Sequence, residues 1–372
     1  MEVLYDHQIF ELQKIGGISR YFIELIKYNP SAKFTVKYTD NVYLLSNELK
    51  KYNIISNKEY YDNFLINYSF KGKGRLLRYY GKLLKRSQPE LSIKYLKESD
   101  FDVFHPTYYD PYFLSYLKNK PFVLTVHDMI HELFPQYFIS DKNTVINKKK
   151  LILSANKINV NSECTKNDLI KLFPDVKEKI TVIHHSCNFK QLEEILPKEK
   201  YILFTGARGG YKNFNTFLQA AAPLLIKYDF NLICTGHPFN NEENILINNL
   251  QIMNRVSCVF ASENQLVELY SKATAFVFPS LYEGFGIPIL EAFSSNCPAI
   301  LSNTSSLPEI GGDAAIYFDP NSIDDMRTQI EHVITSTTLQ NELIKKGKEQ
   351  AKKFSWEKCA KETMEVYKKV IS

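Results

Sequence analysis

The sequence predicts an α/β protein of two domains, each built on a parallel sheet covered by helices on both faces. Three observations carry this expectation. Short apolar strands alternate with helical segments along the chain. Most of those strands are continuous apolar runs, as strands buried on both faces are. At 372 residues the chain also exceeds what one hydrophobic core usually supports.

In chain order, EVLYD reads as a first strand and Gly17 to Tyr28 as a helix, and FDVFH, PFVLTVH, KINVN and KITVIH follow as strands. A second series opens with YILFTG and runs through FNLICTG, VSCVF, AFVFPS and PAILS. Between the series lies FKQLEEILPKEK (189–200), polar and carrying one proline. The domain boundary is placed there, giving an N-terminal Rossmann-like domain at 1–190 and a C-terminal one at 191–355. In 356–372, Trp356, Cys359, Met364, Tyr367 and Val370 recur at helical spacing and predict a terminal helix.

Composition narrows the function classes. With 44% hydrophobic and 23% charged residues the chain is an ordinary globular protein. No apolar run approaches the roughly 18 residues of a membrane span. The first residues lack the basic and apolar regions of a secretory signal. Six scattered cysteines without a C-x-x-C pair suit reduced thiols in a cytoplasm better than disulfides or zinc. A net charge of +5 is too mild to call for nucleic acid.

The richest chemistry lies in AFVFPSLYEGFGIPILEAF (275–293). An apolar strand ends at Pro279-Ser280, and a loop with Glu283, Gly284, Phe285 and Gly286 follows. Ile287 and Pro288 then open a helix, since proline suits a first turn. Ligands of such sheets bind beyond the carboxyl ends of the strands, where loop amides and a positive helix terminus face an anion. Glu283 on the loop and Glu291 in the first turns of the helix can each accept hydrogen bonds from vicinal hydroxyls, as a sugar and a ribose require. A second element, FTGARGGYKNFNTFLQA (204–220), runs from a strand through Gly206 into a loop with Arg208 and Lys212, ahead of a helix. Two cations beside a helix N-terminus are placed to neutralise a diphosphate.

The string E-G-F-G-x-P-x-x-E-A resembles the donor-site signature of the retaining glycosyltransferases of family 4, also called glycosyl transferases group 1. The resemblance implies the GT-B fold, in which two Rossmann-like domains face a central cleft and the last helix crosses back to the first domain. It implies that Glu283 contacts the transferred sugar beside the Phe285, Gly286 and Ile287 backbone, and that Glu291 holds the nucleotide ribose. Gly206, Arg208 and Lys212 resemble the family's G-x-x-x-x-x-K-N element, whose cations stabilise the departing diphosphate. His127 in T-V-H-D would face the donor sugar, with Asp128 orienting it or capping the loop. Gly16 and Gly17 would form the glycine-rich first loop near the phosphates. The resemblance extends through NVNSECTKNDL (159–169), the segment Ser305 to Pro320 and FSWEKCAKETMEVY, but not through residues of about 40–100, where this family recognises its acceptor.

The implied reaction moves a hexose from a nucleoside diphosphate sugar to a glycan or lipid-diphosphate-linked glycan in bacterial surface-polysaccharide (O-antigen or capsule) assembly. GDP-mannose is the favoured donor and UDP-sugars an open alternative. No cofactor and no metal are expected. A non-hydrolysing nucleotide-sugar epimerase and a non-catalytic scaffold of the same shape are the rival readings. Asp100-Phe101-Asp102 precedes its strand instead of ending it and reads as structural. Lys71-Gly72-Lys73-Gly74 is an incomplete dinucleotide fingerprint. KGKGRLLRYYGKLLKRSQ (71–88) has seven basic residues, no acid and an apolar stripe. It reads equally as a helix against the core and as one on an anionic membrane at the inner face of the cell.

Overall fold

A computed structural model of the chain describes residues 1–46, 49, 52, 54–56, 88–139 and 141–372. The basic segment 71–87 and the Lys71–Gly74 motif therefore lie outside the described residues.

The first domain carries β1 (Val3–Tyr5), β2 (Ala32–Phe34), β3 (Tyr38–Thr39), β4 (Ile55–Ser56), β5 (Val103–His105), β6 (Val123–Val126), β7 (Lys157–Val160) and β8 (Ile180–Val182). Parallel ladders order β2-β1-β5 and β6-β7-β8, and a parallel bridge between Phe104 and Phe122 joins β5 to β6. The short β3 and β4 pair with each other. The second domain carries β9 (Glu199–Phe204), β10 (Asn231–Thr235), β11 (Val256–Val259), β12 (Ala273–Phe278), β13 (Ala299–Ser302) and β14 (Ala315–Phe318). All six are parallel in the order β11-β10-β9-β12-β13-β14, the doubly wound arrangement. Its direction reverses between β9 and β12, so the loops after these two strands flank one crevice.

Alternation along the strands explains the layers. Ile202, Phe204, Ala275 and Val277 face one core, and Leu203, Phe276 and Phe278 face the other. In the first domain Val3 and Val123 point to one side, Leu4 and Leu124 to the other. All ten strands read from the sequence are present. The strands β2, β3, β4 and β14 have no counterpart in the sequence reading; β2 and β14 lie at sheet edges. Among the described residues no helix is long and apolar enough to cross a membrane.

The terminal helix Trp356–Ile371 crosses back onto the first domain, where Trp356, Cys359, Ala360, Val366 and Tyr367 enter its core. A buried polar chain fixes it there. The Tyr367 hydroxyl meets the Tyr5 hydroxyl and His105 Nδ1, while His105 Nε2 meets Thr125 Oγ1, which also meets the Tyr21 hydroxyl. Asp100 and Asp102 bind Lys33 and the Glu2 amide, a structural role for the D-x-D.

Tyr367→Phe strands His105 Nδ1 and the Tyr5 hydroxyl in the core. It is expected to lower stability by about 1–3 kcal/mol. Urea unfolding followed by the fluorescence of Trp356, the single tryptophan, reads this directly. An unchanged midpoint would show that the chain contributes nothing to holding the helix.

Candidate active site

The loops after β9 and β12 are stitched together where the sheet reverses. The Leu281 amide donates to the Tyr211 carbonyl at 2.8 Å, which brings Lys212 to Glu283. Lys212 Nζ lies 2.6 Å from Glu283 Oε1, with both side chains largely buried at 18% and 14% exposure. Burial disfavours the Lys212 ammonium, but Glu283 and Tyr211 together outweigh that and hold its pKa above the ordinary lysine value.

Hydroxyls set the shape of the Glu283 loop. Thr304 donates to the Leu281 carbonyl, Ser306 reaches the carbonyls of Glu283 and Phe285, and the Glu283 amide donates to Ser305. Gly286 has φ +105, in the left-handed region open to glycine, and there the chain turns into the helix Ile287–Ser294 with proline in its first turn. Gly17 opens the helix Gly17–Lys27 and faces Ile287 across the cleft; a Cβ on it would lie 3.4 Å from Ile287 Cδ1. Two helix N-termini, each positive, thus meet at one place.

Glu291 lies one turn into its helix, half-buried, and accepts from the Tyr270 hydroxyl at 3.3 Å. Tyr270 in turn meets Thr205, beside Gly206 at the end of β9. Burial pushes the Glu291 carboxyl up to about 7, with the Tyr270 bond opposing the rise and Glu263 adding to it. Arg20 of the first domain pairs with Glu263 of the second at 2.8 Å and stacks on the Tyr43 ring.

His127 ends β6 with its Nδ1 buried and, among the described residues, without a hydrogen-bond partner. Burial, then the neighbouring His105 and Lys148, depress its pKa to about 3, so the imidazole is neutral. Asp128 accepts from the Ile130 amide and caps the following turn; it does not orient His127.

Arg208 takes a different place from the one expected of a diphosphate cation. Its guanidinium forms a two-pronged pair with Glu243 at 2.9 and 3.2 Å and donates to the His237 and Pro238 carbonyls. Glu243 is held for this pairing by a capping box with Asn240 at the start of the helix Asn241–Asn249. Arg208 therefore ties the Gly206 loop to that helix, and Lys212 alone of the two pairs with Glu283. Among the described residues no group of three or more His, Cys, Asp or Glu is gathered as metal ligands are.

The sequence reading assigned no role to the contacts that join the two domains here. Ser162 and Thr165 donate to the Gly284 carbonyl, and Tyr282 donates to Asp168. Glu309 accepts from the Glu163 and Cys164 amides and pairs with His184. Burial would raise the Glu309 carboxyl, yet His184 and the two amides hold it below the ordinary range.

Residues 187–350 match the family described as glycosyl transferases group 1, and residues 15–191 match glycosyltransferase family 4. The O-antigen chain mannosyltransferase B of Escherichia coli is 30% identical over 281 residues, covering 70% of this chain and 74% of that protein. The O-antigen chain mannosyltransferase RfbU of Salmonella typhimurium is 29% identical over 218 residues, 58% of this chain and 61% of that one. Anabaena HepE, solved in complex with UDP and glucose, superposes with a TM-score of 0.72 over 98% of both chains at 16% identity and shares the fold. The chain belongs to glycosyltransferase family 4, the group 1 glycosyl transferases, and is a retaining hexosyltransferase with the GT-B fold.

Proposed function

We propose that the enzyme transfers a mannosyl unit from GDP-mannose to a lipid-diphosphate-linked glycan in O-antigen or capsule assembly. It does so in the cytoplasm or at the inner face of the cell membrane, without a metal ion. The single observation that carries the reading is the Lys212–Glu283 pair beside two converging helix N-termini. Mannose and the O-antigen setting are supported by the two relatives named O-antigen chain mannosyltransferases.

In this reading the pair is a resting state in which neither partly buried charge is unpaired. The donor replaces both halves of it. The diphosphate takes Lys212 and the amides of the helices at Gly17 and Ile287, while the sugar hydroxyls take Glu283. Glu291 accepts from the ribose hydroxyls, and neutral His127 offers Nδ1 to the sugar. The bond from the anomeric carbon to the phosphate oxygen breaks as the acceptor oxygen arrives on the same face. The departing phosphate oxygen takes the acceptor proton, so no side-chain nucleophile is needed. Stabilising charge on the leaving group is the largest contribution. Arg208 supports the loop from behind and reaches the phosphates only if its pair with Glu243 opens.

Glu283→Ala and Lys212→Ala are each expected to lower transfer at least about 100-fold in a folded protein. EDTA should leave the wild-type rate unchanged. Activity surviving both substitutions overturns the site, and loss of activity in EDTA overturns metal independence. A thermal-shift panel of GDP-, UDP- and dTDP-sugars identifies the donor, since ligand at about a hundred times its Kd adds roughly 2.7 kcal/mol. A shift with UDP-sugars alone replaces GDP-mannose.

The Glu291 carboxyl, pushed up to about 7, gains a proton as pH falls through that value and then accepts hydroxyls poorly. Donor KM is expected to rise on acidification through about pH 7 in the wild type. In Glu291→Gln that dependence should flatten. A KM profile identical in the two proteins would remove Glu291 from the ribose.

A further inference from the structure

The residues on either side of Glu283 are gripped by the other domain. Tyr282, immediately before it, reaches into the first domain, where its hydroxyl donates to Asp168 Oδ2 at 2.7 Å and lies 3.4 Å from the Met129 amide. Burial first, and then Asp168, hold the phenol well above its usual pKa, so it stays a donor. Gly284, immediately after, presents its carbonyl to Ser162 Oγ at 2.7 Å and Thr165 Oγ1 at 3.2 Å. Its backbone also approaches the His127 carbonyl so closely that a Cβ there would lie 2.0 Å away. Asp168 and Thr165 stand on one helix, Glu163–Leu172, and Ser162 caps it. Between the two gripped residues, Glu283 turns to Lys212 of its own domain.

We infer that Tyr282 and Asp168 are positioning residues, through which the helix 163–172 of the first domain sets the Glu283 loop when the two domains meet. The inference rests on the reading of Glu283 as the sugar-contacting carboxylate. The first domain thereby fixes the backbone on either side of Glu283, although the carboxylate belongs to the second domain.

The test uses the full chain in four forms: wild type, Tyr282→Phe, Asp168→Ala and Asp168→Asn, the last of which still offers an acceptor oxygen. Amide hydrogen exchange of a peptide spanning 280–287 reads the loop without substrate. Turnover of GDP-mannose and binding of GDP read the site. Tyr282→Phe and Asp168→Ala are expected to speed exchange in that peptide at least tenfold and to lower kcat at least tenfold. The Kd for GDP should stay within twofold. Asp168→Asn should restore both the exchange and kcat.

Unchanged exchange in Tyr282→Phe, or an Asp168→Asn as impaired as Asp168→Ala, overturns the inference. A parallel loss of GDP binding and melting temperature in every variant also overturns it, because that is general destabilisation. Glu283→Ala run alongside separates the two claims. Wild-type turnover in that variant sinks the role of Glu283, whereas the exchange data still decide whether Asp168 and Tyr282 hold the loop.

Discussion

The meeting of two backbones at Gly284 and His127 is the constraint on which the rest of the site depends. The end of β6 in one domain and the loop after β12 in the other touch with no room for a side chain between them. Around that point, polar groups of one domain complete those of the other: Ser162 and Thr165 satisfy the Gly284 carbonyl, and Glu309 satisfies amides at the start of the helix Glu163–Leu172. Buried backbone groups need partners, so the interface specifies its register as firmly as a sheet does. Lys212 and Glu283 are largely buried, which strengthens the interaction between their charges.

Charge in that cleft is arranged by neutrality. His105, His127 and His185 are all driven toward their neutral forms by burial. They add no positive charge to the first domain's side of the site and serve as hydrogen-bonding and packing groups. The charge pair that joins the two loops at the crevice is Lys212 with Glu283, and it is internally compensated. A ligand that brings its own negative phosphates and its own hydroxyl donors can replace the pair without leaving either side chain unmatched. A neutral sugar alone or a phosphate alone would satisfy one half and strand the other, so the pair favours a ligand carrying both.

Most of the fold was legible because its signals are local. β12, with the sequence Ala-Thr-Ala-Phe-Val-Phe, is buried at every position and carries its own evidence of two covered faces. Glu283, Gly286, Pro288 and Glu291 were legible for a similar reason: a loop, a left-handed turn and a helix start fall within nine residues. The pairing of Arg208 with Glu243 was not legible because Glu243 is thirty-five residues away on a helix whose orientation no local pattern discloses. The grip of Asp168 on Tyr282 spans over a hundred residues and two domains. Segment 159–169 resembles the family's sequence, yet nothing in its composition says which carbonyl its hydroxyls meet.

The same long-range logic joins the site to the two crossings between the domains. Trp356 Nε1 donates to Asn188 Oδ1 at 2.7 Å, and Asn188 donates to Glu24 at 2.8 Å. Glu24 lies 3.6 Å from Arg20, which pairs with Glu263 beyond the cleft. Asn188 stands on the segment that leaves the first domain and Trp356 on the one that returns to it, so both crossings converge on a single carboxylate. The pair of Arg20 with Glu263 is an exposed contact of modest worth. The bonds of Trp356, Asn188 and Glu24 join the two crossings to a helix of the first domain. The contacts therefore run without a break from the two crossings, through a helix of the first domain, to an exposed pair with the second domain beyond the cleft.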